Sequence, residues 1–144
     1  MAAKHLPCKF ILVIIMIIII VMNYSCKSSE TTFSIPTVVS FAGDIQPVFD
    51  EACVSCHNLT TFSGGLNLSP DVAYKSLVNA KSDQSTRVYV KPGSPDSSYL
   101  VNKLKGTQSN VGGLGSRMPL GASPLPDSEI DMIRQWISQG ALNN

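Results

Sequence analysis

The chain has 144 residues, 44% of them apolar, and a formal net charge of +1. That length fits one domain once a leader is set aside, and the lack of any basic run argues against a nucleic-acid partner. With 4 cysteines and 2 histidines, few groups are left for metal or redox chemistry.

Residues 1–25 read as a signal peptide. Lys4 and Lys9 form a basic n-region, and Phe10 to Met22 is an unbroken apolar run. At about 1.5 Å per residue the run spans roughly 20 Å, short of the ~30 Å core of a bilayer, so a signal h-region is expected rather than a transmembrane helix. It ends in Asn23-Tyr24-Ser25-Cys26, which resembles a bacterial lipoprotein cleavage box with Asn23 where an aliphatic residue usually stands. Cleavage before Cys26 would make it the lipidated N-terminus, whereas ordinary cleavage nearby would leave a free thiol. Each buried CH₂ of an acyl chain would contribute ~0.8 kcal/mol to anchoring. Either route exports the domain, to the periplasm or the outer face of the cell envelope. Without residues 1–25 the chain holds nine Lys and Arg against ten Asp and Glu.

Residues 26–39, rich in Ser and Thr, are expected to form the lipid site and a flexible tether ahead of a folded domain at 40–144. A first helix is predicted over Ile45–Cys56, capped by Asp44, with Pro47 in the first turn and Ile45, Val48, Phe49 and Ala52 as an apolar stripe. It runs into Cys53-Val54-Ser55-Cys56-His57. Two thiols two residues apart, followed at once by a histidine, is the pattern for covalent haem attachment. Each sulfur can add to a haem vinyl group, and the spacing sets His57 as the proximal iron ligand. Zinc binding is a rival, but Cys56 and His57 are sequence neighbours that converge poorly on one ion, and no partner pair follows. A thiol–disulfide motif is another, but no βαβ pattern accompanies it.

Asn58 to Leu68 is predicted to be a loop offering Leu59, Phe62, Leu66 and Leu68 to the haem. Ser69-Pro70-Asp71 reads as a helix start, with Tyr74, Leu77 and Val78 on one face. Lys81 to Pro95 is irregular, with Val88-Tyr89-Val90 briefly extended and Pro92-Gly93 turning. Asp96 or Ser97 is expected to cap a third helix that buries Leu100, Val101 and Leu104 and stops at Gly106. Thr107 to Pro126 is a long loop of the kind usually kept for function. Asp127 is expected to cap the last helix, with Ile130, Ile133, Trp136 and Ile137 as its stripe. The fold class is all-α.

Counting narrows the distal iron ligand. His5 leaves with the leader and His57 is used, so bis-histidine ligation within one mature chain is excluded. Of the two methionines beyond the leader, Met132 sits beside an apolar helical stripe and reads as core. Met118 stands in a Gly- and Pro-rich loop with no stripe to join, and iron ligation gives it a reason; the alternative is a loop residue covering a haem whose sixth position is open. Pro92 is a weak candidate to bring a carbonyl to His57 Nδ1–H; the plainer reading is a turn.

Over residues 41–142 the chain resembles the class I c-type cytochrome domain, particularly the short bacterial envelope versions. The likeness rests on Cys53-x-x-Cys56-His57, on Phe49 four residues before Cys53, and on Trp136 in the last helix. Lys91-Pro92-Gly93-Ser94-Pro95-Asp96-Ser97-Ser98-Tyr99-Leu100 and Arg117-Met118-Pro119 add to it. One departure is Ile45, where many members carry glycine. The resemblance implies a small cytochrome c-like fold, with first and last helices crossing around one covalent haem c, and a non-enzymatic role. That role is single-electron transfer to redox partner proteins such as an oxidase, a dehydrogenase or another cytochrome. The alternatives are a haem enzyme or gas sensor with an open distal site, and a haem-free lipoprotein.

Overall fold

A π-helical turn, Phe41–Ile45, runs directly into helix α1, Gln46–Ala52, in the computed structural model, which describes residues 37–144. The leader, the Cys26 lipid site and most of the tether lie outside the described residues. Ser40 starts the helical segment. Its Oγ accepts from Gly43 N at 3.1 Å, and Asp44 Oδ2 accepts from Ser40 N at 2.8 Å. This reciprocal arrangement is a capping box, so Asp44 is its inner member and not the cap expected from sequence. The helical backbone begins earlier because the wider turn places Phe41 in the core. Val39, assigned to the tether, is 1% exposed and belongs to that core too.

Ile45, Val48 and Phe49 are buried and Ala52 packs partly against them, as the 3.6-residue spacing predicts. Helix α1 stops at Ala52, short of the expected Cys56. There the backbone tightens into turns: Cys53 N and Val54 N both donate to Phe49 O, and His57 N donates to Cys53 O at 2.9 Å.

The remaining helices are α2, Ala73–Leu77; α3, Tyr99–Lys105; and α4, Asp127–Ser138. The described residues contain no strand, only isolated bridges from Val78 to Val90 and from Lys81 to Val88, so the domain is all-α. The expected caps shift. Helix α2 starts at Ala73, with the Ser69 carbonyl and not its hydroxyl receiving Ala73 N. Pro95–Ser97 form a 3₁₀ turn and Ser98, not Asp96 or Ser97, precedes α3. The Ser98 hydroxyl is spent on the turn before it, accepting from Lys91 N and donating to Ser94 O, both at 2.9 Å. Asp127 is the first residue of α4 rather than its cap, and with Glu129 it makes the first turn acidic, which suits the helix dipole. Buried Leu125 and Ile130 occupy the two positions of a hydrophobic staple across that start. Gly106, at φ 72°, ends α3 in the left-handed conformation that glycine adopts without a steric penalty.

The stripe Ile130, Ile133, Trp136 and Ile137 is buried as predicted, and so is Met132. Phe49 of α1 and Trp136 of α4 are linked by an aromatic relay. Phe41 lies between them, its ring centroid 5.3 Å from Trp136, 5.3 Å from Tyr74 and 6.3 Å from Phe49. Trp136 Nε1 donates to Leu142 O and the Tyr74 hydroxyl donates to Ala141 O, both at 2.9 Å. Ala42 N donates to Asn144 O and Phe41 N to Asn144 Oδ1, so residues 141–144 are stitched onto the π-helical turn. No helix among the described residues is long and apolar enough to cross a membrane.

Candidate functional site

Opposite the aromatic relay, a cleft of about 370 Å³ opens beside the end of α1. This volume falls within the range of small-molecule sites. Cys53, Cys56 and His57 form one wall, and Met118 and Pro119 another. Leu66, Leu68, Leu100 and Leu104 supply apolar surface between them. A wider groove beside Phe41 and Tyr74 contains none of the motif residues.

The segment around the motif is held by its own backbone and by Asn58. Asn58 Nδ2 donates to Val54 O at 2.8 Å, while Asn58 Oδ1 accepts from Thr60 N and Thr61 N. Leu68 N donates to His57 O at 2.8 Å, bringing the returning loop under the imidazole. Leu66 and Leu68 therefore reach the cleft. Leu59 and Phe62 do not: they are 83% and 51% exposed, because the Asn58 turn points that stretch outward.

Met118 is placed by α3. The last four carbonyls of a helix lack intrahelical partners. One of them, Lys103 O, accepts from Met118 N at 2.9 Å. The long loop is tied down further upstream, where Leu114 N donates to Gln84 O and Gln108 Nε2 donates to Gly115 O. The four residues singled out from sequence, Cys53, Cys56, His57 and Met118, thus line one cavity although Met118 is 61 positions beyond His57.

Pro92 is not among them. Its turn is fastened to α4, with Gly93 N donating to Ile137 O at 2.7 Å, and the buried His57 Nδ1 has no hydrogen-bond partner. The expected carbonyl for that nitrogen does not come from the Pro92 region.

The rival readings of the motif make different demands on its thiols. Cys53 and Cys56 are not joined in a disulfide. Burial, followed by the neighbouring Cys56 and Glu129, pushes the Cys53 thiol up to about 11 from 9.0. Reactive redox thiols are instead lowered toward neutrality. Among the described residues no three His, Cys, Asp or Glu side chains form a group that could hold a metal ion. Two thiols, an imidazole and a thioether around an apolar slot are a donor set that could hold an iron porphyrin.

The polar residues of the cleft that escape sequence reasoning include Gln84, Tyr89 and Lys103. Lys103 is 7% exposed, and its Nζ donates to Gln84 Oε1 at 3.1 Å and Leu114 O at 3.2 Å. Burial lowers the pKa of its ammonium. A signal was available: Lys103 lies three residues after Leu100, on the buried face of α3.

No protein-family model matches the chain, and neither a curated protein nor a solved structure matches it.

Proposed function

We propose that this chain is a mono-haem c-type cytochrome of the bacterial cell envelope, transferring single electrons and held at the membrane by lipid on Cys26. In this reading α1 and α4, joined through Phe41, are the terminal helices of a small cytochrome c-like fold. The observation that carries it is the meeting of Cys53, Cys56, His57 and Met118 on one apolar cleft. Cys53 and Cys56 would each add S–H across a vinyl double bond to form a thioether, a step that balances without an oxidant. His57 and Met118 would hold the iron, and haem c, when bound, provides a one-electron iron couple.

Met118 sets the character of that couple. A neutral thioether does not offset the extra positive charge of the ferric state, so it favours the ferrous one, and apolar walls act in the same direction. With His57 and Met118 both holding the iron, the protein would leave no open position for a substrate, and electron transfer would be the chemistry that remains. A lipid tether at Cys26 would confine the domain to the membrane and raise its effective concentration toward redox partner proteins there.

The test is the absorption of protein matured in an envelope that contains haem-attachment machinery. The expected results are a pyridine haemochrome of c-type, a weak near-infrared sulfur-to-iron band in the ferric form, and slow, incomplete carbon monoxide binding to the ferrous form. A colourless protein ends the proposal. Fast, complete carbon monoxide binding would point instead to an open distal position and a haem enzyme or gas sensor.

A further inference from the structure

Lys103 is a buried cation without an anion. Its Nζ has two acceptors, the Gln84 amide oxygen and the Leu114 carbonyl, and both are neutral. Among the described residues the one ion pair is Arg134 with Asp96, which does not involve Lys103. Isolated ammonium groups are rarely buried, because desolvation outweighs what neutral acceptors return. An ammonium has three donor hydrogens. Two are accounted for, which leaves donor capacity on a side chain that lines the cleft.

The surroundings are built to keep this group in place. Gly115 sits at φ 75°, and a Cβ there would come within 3.0 Å of Lys103 Nζ and 3.2 Å of Gln84 Oε1. Tyr99 OH donates to Leu114 O at 3.0 Å, fixing the carbonyl that Lys103 also uses. Lys103 is thus held by a helix, an amide side chain and a buttressed loop. A solvated surface lysine needs none of these.

We infer that Lys103 is the binding site for a carboxylate at the edge of the group filling the cleft, namely a haem propionate. The inference rests on the proposed haem reading. Carboxylates are the ionised groups of that prosthetic group, and a charge-assisted hydrogen bond to one would complete the coordination of Lys103 Nζ. Gln84 acts as a positioning residue that aims the ammonium. The cation also acts on the iron couple: a fixed positive charge near the cleft favours the ferrous state, which carries one positive charge fewer.

The experiment uses haem-loaded protein with Lys103→Leu and Lys103→Arg, each checked for haem content by pyridine haemochrome. Leucine avoids introducing a second thioether. Redox-difference infrared spectra with isotope-labelled propionates should show, in the wild type, a carboxylate band displaced from its solvated position. Lys103→Leu should abolish that displacement and shift the ferric-to-ferrous equilibrium toward ferric by up to about tenfold, or about 59 mV for one electron. Lys103→Arg should restore both readouts, which a purely structural role would not require. The near-infrared band should persist in both variants. A wild-type propionate band at the solvated position overturns the inference, whether or not Lys103→Leu matures, and so does an arginine variant that behaves like leucine. A wild type without haem overturns the proposed function as well; a haem-loaded wild type with solvated propionates overturns the Lys103 assignment alone.

Discussion

The two ends of the hydrophobic core differ in how completely they satisfy themselves. Around Phe41, Tyr74 and Trp136 the rings interlock and the polar handles, Trp136 Nε1 and the Tyr74 hydroxyl, both find carbonyls. Around Cys53, His57 and Met118 the walls face an opening, His57 Nδ1 has no partner, and Lys103 has only neutral ones. Native cores seldom leave buried polar groups unpaired. In the proposed reading the aromatic end is the finished core and the cleft end is the part that haem would complete; the division is one of degree, because Gln46 Oε1, in the groove with Phe41, is buried without a partner too. A small domain would gain from a large apolar prosthetic group in that cleft.

Four changes would break or sharpen this contrast, in descending order of effect. Cys53→Ser combined with Cys56→Ser should give protein with no covalent haem, read by pyridine haemochrome after denaturing extraction; retained covalent haem would contradict the attachment role. Trp136→Ala attacks the finished end and should cost about 3–5 kcal/mol in denaturant unfolding of haem-loaded protein, a large share of a small domain's stability. A cost below about 1 kcal/mol would mean the aromatic end is less completely packed than the zero exposure of Trp136 indicates. Met118→Ala attacks the unfinished end. It should lower the midpoint potential by on the order of 100 mV or more while leaving haem content intact, as axial ligands command a span of ~0.8 V. An unchanged potential in spectroelectrochemical titration would remove Met118 from the iron.

The smallest effect lies at the boundary between the two ends. Burial, with repulsion from Glu51, raises the pKa of Glu129 above its ordinary 4.5. A carboxyl that binds its proton more tightly folded than unfolded stabilises the fold at low pH. That contribution is lost as pH rises from the unfolded value through the raised folded one. Glu129→Gln should therefore raise stability at pH 7 relative to pH 4 by roughly 0.2–0.5 kcal/mol, the scale of an exposed like-charge pair. Asp127 keeps the first turn of α4 acidic in that variant. Identical pH profiles for the two proteins would remove Glu129 as the cause.

Helix starts were the least legible feature. Asp44, Asp96 or Ser97, and Asp127 are each good capping types, yet the caps fall at Ser40, Ser98 and Pro126. Several capping residues cluster before each helix, and the path of the incoming chain selects among them. Leu59 and Phe62 misled for a related reason. Their type suggests burial, but the turn organised by Asn58 carries them to the surface. The burial of Lys103 is legible from its place three residues after Leu100; that Gln84 and Leu114 fold over its ammonium is not, because those contacts join segments far apart in sequence.

By itself the sequence determined the apolar stripes of α1 and α4 and the spacing Cys53-x-x-Cys56-His57. These are local periodicities, set by 3.6 residues per turn and by adjacency along the backbone. Tertiary structure decided that Phe41 bridges the two helices, that Met118 faces the same cleft as His57, and that Lys103 is buried there. Those outcomes depend on where a 20-residue loop lies across α3, and the loop is held by carbonyls such as Lys103 O and Gln84 O, whose availability exists only once the helices have packed.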